Sequence, residues 1–241
     1  MDEVVNQFTS LLENKGIKLS AVQLSQFELY YQELIEWNDK MNLTGITDRE
    51  QVYIKHFYDS VSLSFYIPMA SIQTLIDIGS GAGFPSIPLK IVYPHLQITI
   101  VDSLNKRIQF LQQIVKTLYL DSISCIHSRA EDAARNLQLR NHYDLATARA
   151  VARLCVLNEL CLPFVKVNGL FAAMKGADVQ QEVEEAEYSL EQLLSELIEM
   201  HSFELPMEHA QRHIIIMEKN GRTPAKYPRK AGIPGKEPLV K

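Results

Sequence analysis

The sequence predicts an α/β fold, with a mostly parallel β-sheet, helices on both faces of the sheet and a helical region before it. Two observations support this prediction. From about residue 69 onward, short apolar runs alternate with longer amphipathic stretches, as strands alternate with helices around a parallel sheet. Before that point, apolar residues recur at helical spacing. We therefore expect a helical region at 1–68, an α/β domain at 69–220 and a basic tail at 221–241.

Capping signals place the helices of the first region. Ser20 with Gln23 has the spacing of a capping box, in which two side chains satisfy free backbone groups at the start of a helix. Thr47 with Glu50 has the same spacing and predicts the start of a later helix. Pro68 cannot continue that helix, so we expect the helix to end there.

Apolar runs place the strands. Five of them are separated by helical patterns, for example at 106–119 and 151–165, and predict parallel strands. Two later runs have no long helix between them and predict an antiparallel pair that closes the sheet. A glutamate-rich stretch at 177–200 is typical of a solvated helix. The predicted strands lie at 75–78, 98–102, 123–126, 143–147, 170–174, 199–205 and 213–217.

Composition excludes several classes of protein. No stretch approaches the roughly 18 apolar residues of a membrane span, and the acidic N-terminus is unlike a secretory signal, so we expect a cytoplasmic protein without membrane contact. The three cysteines form no C-x-x-C pair, so neither a disulfide framework nor a zinc site is expected. A net charge of -5 argues against binding nucleic acid by bulk charge. Residues 219–241 nevertheless carry seven Lys or Arg and one Glu, which permits local contact with a polyanion.

The first predicted strand runs into a glycine-rich turn with the spacing G-x-G-x-G, at Gly79, Gly81 and Gly83. Such a turn lets a bound nucleoside approach the backbone closely. Dinucleotide sites favour G-x-G-x-x-G, which aims a helix at a pyrophosphate, so this spacing disfavours a nicotinamide dehydrogenase. Asp102 ends the second predicted strand, where a carboxylate binds ribose hydroxyls. The alternative for Asp102 is an aspartate that only caps a turn or helix.

Four motifs follow one another along the α/β region, at 77–85 (DIGSGAGFP), 102–107 (DSLNKR), 129–131 (RAE) and 147–152 (TARAVA). Together they resemble the ribosomal RNA small-subunit methyltransferase G family, and further matches at 37–38, 42–44, 56–60, 175–176 and 227–230 extend the resemblance over nearly the whole chain. The resemblance implies a Rossmann-like class I methyltransferase with S-adenosyl-L-methionine as its cofactor. It implies methyl transfer to N7 of a guanine in the 530 loop of 16S ribosomal RNA, within the small ribosomal subunit or its assembly intermediate.

The resemblance also implies cofactor contacts, residue by residue. The glycine loop and Phe84 would lie beside the cofactor, and Asp102 and its neighbours would frame the ribose and adenine. Residues after the third strand would contact the adenine end, and Arg149 would face the methionine end or the incoming base. The implied cofactor-binding residues are Gly79, Gly81, Gly83, Phe84, Asp102, Ser103, Leu104, Ala130, Glu131 and Arg149.

N7 of guanine carries an in-plane lone pair, so we expect catalysis by alignment and by exclusion of water, without an essential general base. The candidates for orienting the guanine are Arg149, Arg153, His56 and Lys175. Arg149 and Arg153 are four residues apart, which would place them one turn apart on a helix. The alternatives are structural salt bridges for the arginines, and a buried tie formed by His56 with Asp59.

The tail combines basic and aromatic residues, which suits phosphate contact and base stacking. The candidate RNA-binding residues are Lys226, Tyr227, Arg229 and Lys230. A solvated tail without a binding role is the alternative. If the tail binds RNA, removal of 223–241 should weaken RNA binding and leave cofactor affinity nearly intact.

Two further functions compete with the ribosomal RNA methyltransferase. One is a methyltransferase that acts on a small molecule or a protein. The other is a non-catalytic ribosome assembly factor on the same fold, because fold alone does not determine function. We expect the protein to be a monomer.

Overall fold

The computed structural model describes residues 2–149, 152–176 and 179–241. Within these residues, seven strands form one sheet in the order β3-β2-β1-β4-β5-β7-β6. Strands β1 to β5 run parallel, whereas β7 is antiparallel to both β5 and β6. The predicted parallel sheet and its closing antiparallel pair are confirmed. The strands are β1 (Thr74–Ile78), β2 (Gln97–Asp102), β3 (Ile123–His127), β4 (Tyr143–Arg149), β5 (Val165–Lys175), β6 (Ser195–Glu204) and β7 (Gln211–Lys219).

Helices of the described residues precede the sheet, lie between its strands and follow its last strand. No helix among them is long and apolar enough to cross a membrane. The helices are α1 (Glu3–Glu13), α2 (Ala21–Met41), α3 (Arg49–Val52), α4 (Asp59–Val61), α5 (Ser86–Val92), α6 (Asn105–Thr117), α7 (Ala130–Ala133), α8 (Leu154–Cys161), α9 (Gln180–Gln192) and α10 (Ile233–Lys236).

Two hydrophobic cores lie on opposite faces of the sheet, because successive side chains of a strand point to opposite faces. Leu75 of β1 belongs to the first core and Ile76 to the second. The first core also contains Phe8, Phe27 and Phe57, so the N-terminal helices pack against the sheet. The second core contains residues of α8 and α9. The sheet is therefore covered on both faces, as expected for parallel strands.

One predicted helix start is confirmed and another is wrong. Ser20 and Gln23 form the reciprocal capping box at the start of α2. Asp48, not Thr47, caps α3, because the Asp48 carboxylate accepts a hydrogen bond from Gln51 N–H at 3.0 Å. Aspartate is among the strongest N-cap residues, so it takes this position one residue after the threonine.

The segment from Tyr53 to Phe65 is not the uniform helix that its apolar spacing predicts. A π-helical turn, Tyr53–Tyr58, connects α3 to α4, and a 3₁₀ turn, Ser62–Phe65, follows. π-helical turns are rare and occur frequently at functional sites. This one carries His56 and directly precedes Asp59.

Two other helical predictions require correction. The helix predicted at 151–165 begins only at Leu154, because Arg153 has an extended backbone, and it passes into a 3₁₀ turn at Leu162–Phe164. Residue 151 lies outside the described residues. Only part of the glutamate-rich stretch is helical, as α9, and its second part forms the start of β6. Residues 177 and 178 of that stretch also lie outside the described residues.

The basic tail is integrated into the fold. Tyr227 is 6% exposed and packs in the second hydrophobic core together with Leu239. The guanidinium of Arg140 donates hydrogen bonds to the carbonyl oxygens of Thr223 and Pro224, at 2.9 and 3.2 Å. The alternative of a solvated tail is therefore wrong, because the buried Tyr227 ring and the paired backbone groups fix the tail to the domain.

Candidate active site

The glycine loop follows β1 and has a left-handed backbone at three positions, with φ of 72° at Gly79, 62° at Gly81 and 97° at Gly83. A Cβ atom at Gly83 would lie 2.6 Å from the Tyr30 hydroxyl, whereas one at Gly81 would meet nothing within 4 Å. Gly83 is therefore required by packing as well as by conformation. Gly81 faces open space. The Tyr30 hydroxyl also donates a hydrogen bond to Ala82 O, which ties α2 to the loop.

Asp102 supports the loop from the end of β2. The Asp102 side chain is almost completely buried, and Oδ2 accepts a hydrogen bond from Gly81 N–H at 3.1 Å. Oδ1 accepts one from Leu104 N–H at 2.9 Å, and the Arg107 guanidinium lies 3.4 Å from Oδ2. The carboxylate therefore has a fixed position beside the loop. The Leu104 side chain, by contrast, is 51% exposed.

A second carboxylate, Asp77, lies at the base of the loop and was not singled out as a site residue from the sequence. Asp77 is completely buried, and burial raises its pKa to about 6. Oδ2 accepts a hydrogen bond from Ser86 N–H at 3.2 Å, but Oδ1 has no hydrogen-bond partner within the described part of the chain. Buried polar atoms are rarely left unpaired, so a cationic or hydroxyl group of a ligand would suit this oxygen.

A cavity of about 230 Å³ opens beside the carboxyl ends of β1 and β2. Four of the predicted cofactor-binding residues line it, namely Gly79, Ser103, Ala130 and Glu131. Ligands of open parallel sheets bind at this edge. The C-terminal segment, which the sequence did not place here, contributes Gly232, Pro234 and Gly235 to the same cavity.

A second cavity, of about 200 Å³, adjoins the first because Gly79 lines both. It is lined by Gly81, Phe84, His56 and Arg149 among others. With the adenosine portion of S-adenosylmethionine in the first cavity, its amino-acid portion would lie in this one, near the glycine loop. The two connected cavities and the two strand-end carboxylates therefore fit S-adenosylmethionine, which joins a nucleoside to a charged amino acid.

A third cavity, of about 310 Å³, shares His56 and Arg149 with the second. Its lining combines apolar side chains with cationic groups, so it suits an aromatic base attached to a phosphate backbone. Its lining residues include Lys55, Asp59, Met174, Lys175, Phe203, Arg212, His213 and Ile214.

Arg149 connects the second and third cavities. Its guanidinium donates a hydrogen bond to Asp59 Oδ2 at 3.0 Å and another to Lys55 O at 3.3 Å. It lies 4.9 Å from the centre of the Phe84 ring, within cation–π range. Asp59 is buried, and its Oδ1 lies 3.3 Å from Nε of Arg212 without the geometry of a hydrogen bond. Asp59 therefore orients two arginines at one cavity.

His56 stacks on Phe84, with ring centres 4.6 Å apart. Nε2 lies 2.8 Å from the Thr44 hydroxyl, and Nδ1 lies 3.2 Å from Lys55 O. Burial, and secondarily the charge of Arg149, lower the pKa of His56 to about 3. The imidazole is therefore neutral at pH 7 and too weakly basic to remove a proton.

Lys175 and Arg153, predicted to orient the substrate, have different surroundings. Lys175 lines the third cavity, and its ammonium donates a hydrogen bond to Ala152 O and pairs with Glu182. Arg153 is half-exposed and pairs with Glu185. Arg149 ends a strand and Arg153 precedes a helix, so the prediction that they lie one helical turn apart is wrong.

The tail residues predicted to bind RNA are only partly exposed. The Tyr227 ring lies in the second core, and the Arg229 guanidinium binds the buried Glu159 carboxylate at 2.6 to 3.1 Å. Both side chains are therefore engaged within the fold. Lys226 and Lys230 are exposed. RNA contact by these four residues stays a prediction.

Comparison with known proteins agrees with this geometry. Residues 23–215 match the family model for rRNA small subunit methyltransferase G. The chain is 55% identical over 235 residues to the Ribosomal RNA small subunit methyltransferase G of Bacillus pumilus, and 53% identical over 235 residues to that of Bacillus licheniformis, covering 98% of each chain in both pairs.

The structure also resembles that of TrmN from Thermus thermophilus, with a TM-score of 0.51 and 14% identity over 68% of this chain and 48% of that one. This similarity concerns the fold alone, and the predicted Rossmann-like class I methyltransferase fold is confirmed. The extent and the level of identity with the Bacillus proteins lead to a more specific conclusion. The chain belongs to the rRNA small subunit methyltransferase G family.

Proposed function

We propose that this chain transfers the methyl group of S-adenosylmethionine to N7 of one guanine in the 530 loop of 16S ribosomal RNA. The observation that carries this proposal is the row of three adjoining cavities at the carboxyl edge of the sheet. Adenosine, the amino-acid portion and the acceptor base fit this row in the order that methyl transfer requires. The family to which the chain belongs supports the choice of acceptor.

The cofactor, when bound, supplies an electrophilic methyl carbon on a sulfonium. We assign Gly79, Asp102 and Glu131 to binding of the adenosine portion, because they lie at the strand ends around the first cavity or beside it. Gly81 and Phe84 lie along the second cavity, on the way to Arg149. Of the remaining predicted positions, Ser103 and Ala130 line the first cavity, whereas Gly83 and Leu104 line neither of the two.

The third cavity has the properties that a guanine requires. Apolar side chains of the lining exclude water from the base, while Arg212 and His213 can contact the flanking phosphate. Asp59 faces the cavity as an acceptor, and guanine offers amino hydrogens that adenine does not offer at the same position. We therefore assign recognition of the guanine to Asp59 and Arg149.

The chemistry needs no proton transfer before attack. The N7 lone pair is free, and the positive charge only moves from the sulfonium to the base. The neutral His56, the paired Asp59 and the paired Lys175 are consistent with this requirement. The residues of the site hold N7 in line with the methyl carbon and exclude water. A ribosomal substrate implies a cytoplasmic protein, and we propose that it acts as a monomer.

The test is methyl transfer to defined acceptors. The protein is mixed with S-adenosylmethionine labelled in its methyl group and with small subunits from cells that lack this gene, and the labelled nucleotide is mapped. Label at N7 of one guanine in the 530 loop is expected. Small subunits from wild-type cells, already methylated, should accept no label. Cofactor binding without label in any ribosomal RNA would contradict the proposed acceptor.

Free 16S RNA and partly assembled subunits serve as further acceptors in the same assay. The target guanine must leave its stack to enter the third cavity, so acceptors in which the 530 loop is accessible should react faster. The acceptor with the highest kcat/KM identifies the natural partner. Equal rates on all three would contradict any role for assembly.

A further inference from the structure

We propose that the C-terminal segment Gly232–Gly235 forms one wall of the adenosine cavity and determines how tightly the cofactor is bound. This inference rests on the proposed function, which places adenosine in the 230 Å³ cavity. It assigns a cofactor-binding role to a segment outside the motifs that carry the family resemblance.

The lining of the cavity provides the first argument. Gly232, Pro234 and Gly235 line the same cavity as Gly79 and Glu131. Because these residues are two glycines and a proline, the segment presents backbone groups and an apolar ring to the cavity, and no long side chain fills the space. Such a surface allows close approach of an aromatic base.

A direct hydrogen bond connects this wall to a predicted adenine contact. Gly232 N–H donates to Glu131 Oε1 at 2.8 Å, across 101 positions of the chain. Glu131 is only 7% exposed, so its carboxylate depends on such donors. Gly232 has a φ of 83°, a conformation that glycine adopts without strain. The contact fixes the segment at the carboxyl end of β3.

The segment before the wall is firmly anchored. Glu159 is completely buried on α8 and accepts hydrogen bonds from the backbone N–H and the guanidinium of Arg229. The guanidinium of Arg135, just after α7, donates to Pro228 O at 2.7 Å. Buried charge pairs of this kind fix geometry, because a buried charge left without its partner is costly. The anchors hold the wall against the cavity.

This arrangement reverses the expectation for removal of the tail. Without the tail, the adenosine cavity would lose one wall and Glu159 would lose its partner, so cofactor binding should be strongly affected. Because such a truncation would also expose part of the second core, single substitutions in the wall provide a sharper test.

Gly235→Phe is the first variant. A Cβ atom at Gly235 would meet nothing within 4 Å, so the backbone accepts a side chain there, and an aromatic ring at this position would compete with adenosine for the space that Gly235 lines. We expect the Kd for S-adenosylhomocysteine, measured by calorimetry, to rise about tenfold or more, since every 1.4 kcal/mol of lost binding free energy is a factor of ten. Lys236→Phe is the control, because it adds the same ring at an exposed neighbour outside the cavity lining.

Binding of adenosine and of S-adenosylhomocysteine distinguishes failure of the proposed wall from failure of the proposed function. Gly235→Phe should weaken binding of adenosine alone by about the same factor as S-adenosylhomocysteine, because the wall contacts the nucleoside. If Gly235→Phe keeps the wild-type Tm and the wild-type Kd values for both ligands, the proposal that this segment forms a wall of the cavity is wrong. If the wild-type protein binds neither ligand, the proposed function fails instead.

Hydrogen exchange of the unmodified protein gives an independent test. Addition of S-adenosylhomocysteine should slow amide exchange at residues 232–236, because a bound nucleoside covers these amides and restricts their local opening. The amides of the exposed turn at 207–209, between β6 and β7, serve as the control. Unaltered exchange at 232–236 with saturating ligand would contradict the proposal.

Discussion

Gly81 and Gly83 share a left-handed backbone but differ in what surrounds them. Gly83→Ala would place a methyl group 2.6 Å from the Tyr30 hydroxyl and 2.7 Å from Ile87, so α2 or α5 must shift. We expect a loss of stability of about 1–3 kcal/mol from the backbone alone, and more from the clash. Thermal unfolding measures this loss.

Gly81→Ala is the matched comparison. Its methyl group would meet no protein atom but would enter the second cavity, so stability should fall by only about 1–2 kcal/mol, while affinity for S-adenosylhomocysteine falls more than stability does. If Gly81→Ala lost more stability than Gly83→Ala, the packing around the two glycines would differ from that described above.

His56 tests the absence of a general base. Because its pKa is about 3, the imidazole stays neutral, and kcat should be level between about pH 7 and 9. His56→Gln should retain most of the activity, whereas loss of a general base typically costs about 10²- to 10⁴-fold. His209→Gln, on the exposed turn after β6, is the control. If His56→Gln instead loses activity by about 10²- to 10⁴-fold while its cofactor affinity is unchanged, proton transfer is assigned to His56.

At the scale of elements, Asp77 joins β1 to the glycine loop and gives the fold a pH dependence. Its pKa is about 6 in the folded protein, against a value of 3.8 for the ordinary group. The folded state therefore binds the proton more tightly. The resulting contribution to stability is present at low pH and is lost as pH rises from about 4 through about 6.

Asp77→Asn imitates the protonated carboxyl group. The variant should match the wild type near pH 4 and be more stable than it above pH 6, by an amount on the order of 2–3 kcal/mol. Its affinity for S-adenosylhomocysteine should nevertheless be lower, because the unpaired Oδ1 loses its charge. Unfolding curves of the two proteins from pH 4 to 8 provide the measurement. If the difference in unfolding free energy between the two proteins stays the same from pH 4 to 8, the raised pKa of Asp77 is contradicted.

The elements also show how far the sequence predicts the structure. The strand positions agree with the predicted ones because strands buried on both faces, such as β1 and β4, leave short apolar runs in the sequence. The capping box at Ser20 is equally local. The π-helical turn before Asp59 was missed because its apolar spacing resembles that of an α-helix. The contact of Gly232 with Glu131 joins segments about a hundred residues apart, and no local pattern records it. The motifs located the glycine loop, but the third cavity depends on residues of β7.

At the scale of the whole molecule, the acidic chain must bind a polyanion despite a net charge of -5. Several cationic side chains lie together at the carboxyl edge of the sheet. β7 runs antiparallel to β5, so the start of β7 lies beside the end of β5 and brings Arg212 to the carboxyl edge. Lys55, Arg149 and Lys175 reach the same cavity from other elements. The division into three parts at 68 and 220 stays a prediction. The first hydrophobic core contains residues from both sides of 68, and the second contains residues from both sides of 220.

Arg212→Gln tests whether this edge binds RNA. Arg212 is partly exposed at the third cavity, so removal of one phosphate contact should weaken RNA binding and reduce the slope of log K against log salt by about one. The Kd for S-adenosylhomocysteine should not change, because Arg212 lines neither of the first two cavities. Arg222→Gln is the matched control, since Arg222 follows the other end of β7, at the opposite edge of the sheet. An equal change in salt slope for both variants would show that RNA responds to overall charge, and that the carboxyl edge holds no specific phosphate site.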